Sequence, residues 1–347
     1  MTESLIRYRW AIAAVLAAVA GILTATLPPD LADFAAATDL MLHGRFADVY
    51  AMPWNQAGPA QLLVARILLI GGQDSMPAMP VIGLVDAALV VGAMWLCRGG
   101  LRRELFAGGL ALLWMLAPLP WNGHPAEIGI PLLWAYAIKL AKDGRHLAAA
   151  ASLALGVAIA PWAILGVPGL LAAAPFGRAV RTGVLAVALG AGSYLPFGLT
   201  GHFAMFEMHW AVSAGTLWPT RIGEVTWVIR LVQAVVVAGG VALIALRCRR
   251  DPRAVALVPL AGAVLRVATD PVHFPYYWFP VAVAAILLFA VDRRRPLIAG
   301  AIGYLALLAE AGNFTVAGSL GCLALIIVTL VKTGDTRATF PAVTATR

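Results

Sequence analysis

Residues 147–174 read LAAAASLALGVAIAPWAILGVPGLLAAA, an uncharged stretch interrupted by Pro161-Trp162. A helix needs about 20 apolar residues to cross a bilayer, so the stretch is long for one crossing and short for two full ones. Pro161 lacks the N–H that a continuous helix needs at that point. The stretch therefore reads as two short, tilted or re-entrant helices, each about 20 Å long at ~1.5 Å per residue, that enter and leave by the same face. With that pair in place, seven basic groups fall on one side of a membrane. They are Arg7/Arg9, Arg98/Arg102/Arg103, Lys139/Lys142/Arg145, Arg178/Arg181, Arg247/Arg249/Arg250/Arg253, Arg293/Arg294/Arg295 and Lys332/Arg337/Arg347.

These groups hold 20 of the 25 basic residues, and the positive-inside rule makes their side cytoplasmic, with both termini inside. Arg45, Arg66, Arg221, Arg230 and Arg266 remain on the other side or within the membrane, with eleven of the 17 acids. The isoelectric point near 9.9 thus reports topology and not a polyanionic partner. Composition points the same way. The chain of 347 residues is 61% hydrophobic and 12% charged, with a mean hydropathy of +0.86, whereas soluble domains run near ~45–50% apolar and ~25% charged. A cytosolic enzyme, a nucleic-acid-binding domain and a disulfide scaffold are excluded. Of the three cysteines, Cys97 and Cys248 sit at inner helix ends and Cys322 in the last helix, an odd count with no disulfide pattern and no metal-ligand spacing.

The other apolar runs fall at 10–27, 78–97, 104–119, 126–138, 179–199, 225–246, 254–269, 277–291, 297–311 and 314–331. The first is longer than the ~7–15 residues of a cleaved signal segment and reads as a retained helix. The expected fold is an all-α polytopic membrane protein of about eleven or twelve transmembrane or re-entrant helices. It forms one domain over 1–332, followed by a polar, disordered cytoplasmic tail over 333–347. Two outer loops are long, at 28–77 and 200–224, and long loops are usually functional. In the first, Asp30 can cap a helix starting near Leu31, Gly44 supplies its stop, and a second apolar segment covers 60–70. Both are too short to span and read as interfacial helices, with Tyr50, Pro53 and Trp54 at headgroup level.

Several residues carry chemistry. Asp33 lies in the first turn of the first interfacial helix, where it is either an acid stabilised by the helix dipole or a general base aimed at a hydroxyl above the bilayer. His202 and His209 are seven apart and would share a face on a helix; they lack the pairing or third ligand of a metal site. No cofactor is evident, and a divalent metal has no support from ligand spacing. His209 with Trp210 and Trp218 suits sugar or lipid contact, or an interfacial aromatic belt. Charges in apolar segments are functional by default, and an arginine fork suits a phosphate. Arg266, near the outer end of its helix, is the first phosphate contact, Arg221 the second and Arg66 a third; the competing reading pairs Arg266 with Asp270 at i, i+4.

The stretch Asp33-Phe34-x5-Leu40-Met41-Leu42-His43-Gly44-Arg45-Phe46-x3-Tyr50 resembles the first outer loop of GT-C glycosyltransferases, above all the family-87 polyprenyl-phosphate-mannose-dependent mannosyltransferases of actinobacteria. The segment Asp270-Pro271-Val272-His273-Phe274-Pro275-Tyr276-Tyr277-Trp278 is similar to their late outer segment, where His and Tyr side chains border the pocket. The chain departs from the family at 55–62, where it reads NQAGPAQL in place of a Tyr-Pro-Pro segment. The resemblance implies a GT-C-like fold, Asp33 as catalytic base, and a pocket bordered by the late segment with Asp270, His273 and Tyr276, to which the residue reading adds His202, His209, Tyr50 and Trp54. It also implies a polyprenyl-phosphate sugar donor, mannose as the sugar, a glycolipid or glycan acceptor, and inverting transfer on the outer face of the plasma membrane. The alternatives are a polyprenyl-lipid transporter or flippase, which also needs intramembrane charges and broken helices, and a non-catalytic membrane scaffold.

Overall fold

A computed structural model of the chain describes residues 6–24, 29–70, 75–116, 124–293 and 295–331. The expected tail over 333–347 lies outside the described residues, as do parts of the first outer loop. Among the described residues the fold is all-α, and the only β pairing is an isolated antiparallel bridge between Ala211 and Glu224. In chain order the helices are α1 (Arg9–Thr24), α2 (Pro29–Leu42), α3 (Phe46–Val49), α4 (Pro59–Leu68), α5 (Ser75–Leu96), α6 (Leu101–Leu116), α7 (Ala126–Lys142) and α8 (His146–Ile159). After the 3-10 helix Pro161–Ala172 come α9 (Phe176–Gly192), α10 (Leu195–Thr200), α11 (Trp227–Arg247), α12 (Ala254–Thr269), α13 (Phe279–Val291), α14 (Pro296–Ala311) and α15 (Thr315–Val331).

Proline in the first turn starts many of these elements, among them α4, the 3-10 helix, α13 and α14. Its missing N–H costs nothing there and its fixed φ suits the helix. Gly44 after α2 and Gly144 after α7 take φ of 73° and 77°, the left-handed conformation that ends a helix and that side chains resist. Helix α12 is buried almost all round and packs against α7, α11, α13, α15 and the 3-10 helix. It is the axis of the main core. Helix α11 is its opposite, exposing Trp227, Val228, Leu231, Val235 and Leu243. At 21 residues it is the one helix among the described residues that is long and apolar enough to cross a membrane; the other apolar stretches, such as Pro80–Leu96 within α5, have 10–17 residues.

The described part of the first outer loop is folded. Leu31, Phe34, Val49, Tyr50, Leu62 and Phe197 belong to a second, smaller core under α2 and α4. Helix α8 ends at Ile159, with Ala160 as its cap before Pro161. Pro161 offers no N–H to the Val157 carbonyl, and the Tyr194 hydroxyl donates to it instead at 2.8 Å. The Ile159 carbonyl lies at the helix end, where the Ala163 N–H turns to the Ala160 carbonyl, and it accepts from the Gly58 N–H at 2.8 Å. The helix break therefore creates the acceptors on which the outer helices dock, because buried carbonyls are costly when unpaired.

Gly58 sits so close to this break that an added Cβ would overlap the Ala158 carbonyl, a backbone group unable to yield. Gly58→Ala should destabilise the protein by about 1–3 kcal/mol, read as a lower thermal unfolding temperature in detergent. An unchanged midpoint would mean that the outer helices do not dock on this break.

Candidate functional site

Two cavities meet between the outer helices and the axis helix. The first, about 410 Å³, is a chamber under α2, with Asp30, Asp33, Gln61, His124, Glu127 and Tyr276 in its wall beside Phe34, Trp54 and Phe274. The second, about 560 Å³, is a groove along α11, walled by Ile164, Leu165, Phe206 and Trp227 and by the polar His209, Glu224, Gln233 and Asp270. Gln56, Trp162, Trp210, Arg230, Arg266 and Tyr277 line both, so the two join at a ring of aromatic and cationic side chains.

Arg266 of α12 makes two contacts with Glu127 of α7, Nη1 to Oε2 at 2.6 Å and Nη2 to Oε1 at 3.2 Å. Both side chains are about 95% buried, at 5% and 4% exposure. The guanidinium also lies over the rings of Trp162 at 3.9 Å and Tyr277 at 4.3 Å. Such stacking contributes up to about 2 kcal/mol when desolvated. The alternative pairing of Arg266 with Asp270 does not occur. Asp270 ends α12 in an extended conformation and accepts from Arg230 at 3.1 Å and from Gln233 at 2.9 Å, both on α11.

Asp30 and Asp33 are three residues apart on α2 and share the chamber. Asp30, expected to cap the helix, instead accepts from His124 Nε2 at 2.8 Å. That bond holds the Asp30 carboxyl below the usual carboxylate range. His124 stacks on Tyr276 at a centroid distance of 3.8 Å and meets Phe34 edge-on. Asp33 is exposed to the chamber and has no hydrogen bond or ion pair with a described residue. Asp30 and Asp33 thus stand one helical turn apart, the first bonded to His124 and the second without a partner among the described residues.

Among the other expected site residues, Tyr276 and Trp54 line the chamber, and Asp270 and His209 line the groove, His209 with its Nδ1 3.8 Å from Glu224. The rest line neither cavity. Tyr50 is a core residue, 1% exposed, whose hydroxyl donates to the Ala57 carbonyl. His202 pairs with Glu207 on the surface. The shared helical face expected for His202 and His209 is absent, because the segment holds only the single 3-10 turn Ala204–Phe206. It is otherwise extended, held by Val212 N–H to Gly223 and Val225 N–H to Trp210. His273 hydrogen-bonds Thr315 at 3.1 Å behind the site, where burial pushes its imidazole below its usual pKa. Arg66 pairs with Asp39 at 2.8 Å on the outer helices. Arg221 lies exposed in the turn Thr220–Ile222.

His124, Gln56, Gln61 and Trp162 escaped the sequence reading. His124 had one legible signal, a titratable residue just ahead of the apolar run at an expected outer helix start. Among the described residues no group of three or more His, Cys, Asp or Glu side chains is arranged to hold a metal ion.

Removing one member of a buried ion pair strands the other, at a cost of about 3–5 kcal/mol. Glu127→Gln should therefore lower the thermal midpoint sharply, and Glu127→Leu combined with Arg266→Met should recover much of the loss; a mild effect of Glu127→Gln would show that the pair is not load-carrying. The Asp30–His124 bond gives a pH signature. A carboxyl with a depressed folded pKa contributes stability above its unfolded value, about 3.9, and loses it as pH falls through the folded value. The stability difference between wild type and Asp30→Asn should hold at about pH 5 and shrink below about pH 4. A difference that is flat across this range would contradict the assignment.

No family model matches the chain, and comparison with curated proteins and with solved structures gives no match, so the chemistry of the site rests on its own residues.

Proposed function

We propose that the protein is a polytopic membrane glycosyltransferase of the GT-C type. It moves a sugar, mannose by the resemblance of its first outer loop, from a polyprenyl-phosphate donor to a hydroxyl of a lipid-linked or glycan acceptor. The chain lies in the plasma membrane with both termini cytoplasmic and its active site on the outer face. The observation that carries the reading is the exposed carboxylate of Asp33, without a partner among the described residues, in a chamber that joins a groove along α11. A lipid-linked sugar needs both an acid beside its reacting head and apolar wall, here Ile164, Leu165, Phe206 and Trp227, for its tail.

The charge pattern, the hydropathy and the exposed apolar face of α11 support a membrane setting. The short apolar helices suit tilted or re-entrant packing in a locally thinned bilayer. In the chamber, Asp33 takes the proton of the acceptor hydroxyl as that oxygen attacks the anomeric carbon. The bond from that carbon to the phosphate oxygen breaks, and its electron pair leaves with the phosphate. One displacement inverts the configuration. The departing phosphate gains charge and requires fixed positive groups rather than a proton, and the guanidinium groups stand at the junction of the two cavities.

The test uses purified protein with a panel of polyprenyl-phosphate sugars and a membrane glycolipid extract. Wild type should transfer sugar, and Asp33→Asn should fold normally with transfer lowered by at least about 100-fold, the scale of a lost general base. Transfer that survives the substitution would move the base elsewhere. A folded protein that binds prenyl phosphates but transfers from no donor would favour the lipid-carrier reading instead.

A further inference from the structure

Gln61 is a polar residue on a buried apolar face. The other buried residues of α4 are Pro59, Leu62, Ala65 and Leu68, and the helix packs against α2. Gln61, Ala65 and Leu68 follow one another at helical spacing on one face, so position 61 is one that a hydrophobic side chain would ordinarily fill. Gln61 is 3% exposed and lines the chamber under α2, yet its amide makes no hydrogen bond with a described residue. An amide buried without a partner is costly, and a bound ligand that pairs with it removes that cost.

The rest of the wall is engaged. Asp30 is held by His124, Gln56 accepts from Trp210 at 3.3 Å, Glu127 is held by Arg266, and Arg230 by Asp270. Of the carboxylate, amide, guanidinium and imidazole groups around the chamber, Asp33 and Gln61 alone have no partner among the described residues. A carboxylate only accepts, whereas a glutamine amide both donates and accepts, as a sugar hydroxyl does. Beside them stand the rings of Phe34, Trp54 and Tyr276, apolar wall of the kind that surrounds a few placed polar groups in small-molecule sites. Gln61 also falls within 55–62, where the chain departs from the family it resembles. We infer that Gln61 is the specificity-determining residue of the chamber: its amide pairs with one hydroxyl of the bound sugar, and the site rejects a sugar that lacks this hydroxyl. This rests on reading the chamber as the sugar site of a transferase, but its test requires binding only, and the two are scored separately.

Trp54, Trp162 and Trp210 line the chamber, so their fluorescence reports occupancy in the full chain, held in phosphatidylcholine nanodiscs that carry no sugar headgroup. The probes are farnesyl phosphates bearing mannose, glucose or galactose, followed by every monodeoxy analogue of the tightest binder. Wild type should bind one analogue at least about tenfold more weakly than the parent, the scale of a buried polar group left unpaired. Gln61→Met, similar in length but unable to make the bond, should bind that analogue and the parent alike. Its thermal midpoint without ligand should equal or exceed that of wild type, because the amide has no protein partner to lose. Gln61→Asn, an amide one methylene shorter, should also lose the discrimination and serves if the methionine variant fails to fold. Discrimination that survives both substitutions would overturn the assignment and leave the sugar site standing, as would a wild type that binds every analogue like the parent. A lowered midpoint in Gln61→Met would give the amide a structural role and overturn it too. A wild type that binds none of the glycosylated probes would overturn the transferase reading together with the assignment.

Discussion

The buried pair between Arg266 and Glu127 is the constraint on which the rest of the site depends. Each ion taken out of water costs several kcal/mol even after relaxation, and Arg266 sits on the most enclosed helix of the fold. The cost is offset by two contacts to one carboxylate and by the faces of Trp162 and Tyr277. These four side chains come from α7, α12, the 3-10 helix and the turn before α13. Their meeting fixes the relative position of those elements at the boundary between chamber and groove. His124 lies three residues before Glu127, so the same pair also sets the wall against which α2 places its acids. A charged cluster thus does here what a hydrophobic contact does elsewhere, with the added demand that all four members be present.

The break at Pro161 does complementary work at the outer edge. It shortens α8 and turns the chain into the 3-10 helix that carries Trp162, and it leaves carbonyls that hold Gly58 and Tyr194. The outer helices are anchored to the bundle through these acceptors and their own small core. Asp33 is thereby held on a folded element with no bond to another described residue, while Asp30 one turn earlier is bonded to His124.

Much of the fold was legible because it depends on local pattern. The run 254–269 is the helix Ala254–Thr269, the Pro161 break divides α8 from the 3-10 helix, and the outer-loop helices fall at Pro29–Leu42 and Pro59–Leu68 within two residues of expectation. The site was less legible because its partners are far apart in sequence. Local spacing offered Arg266 a partner four residues away, but its carboxylate comes from another helix. No periodicity announces that His124 meets Asp30. Tyr50 looked like a headgroup anchor because an isolated aromatic in a loop shows no partner, and only the folded loop reveals its bond to Ala57 and its burial against Phe197. The segment 200–224 follows backbone pairing that residue spacing does not encode.

The central claim is a single displacement at an anomeric carbon with Asp33 as proton acceptor. Its most direct test is the anomeric configuration of the product, read by NMR after transfer from a polyprenyl-phosphate sugar of known configuration. The account predicts complete inversion. Retained configuration would require a double displacement through a covalent intermediate and would contradict it.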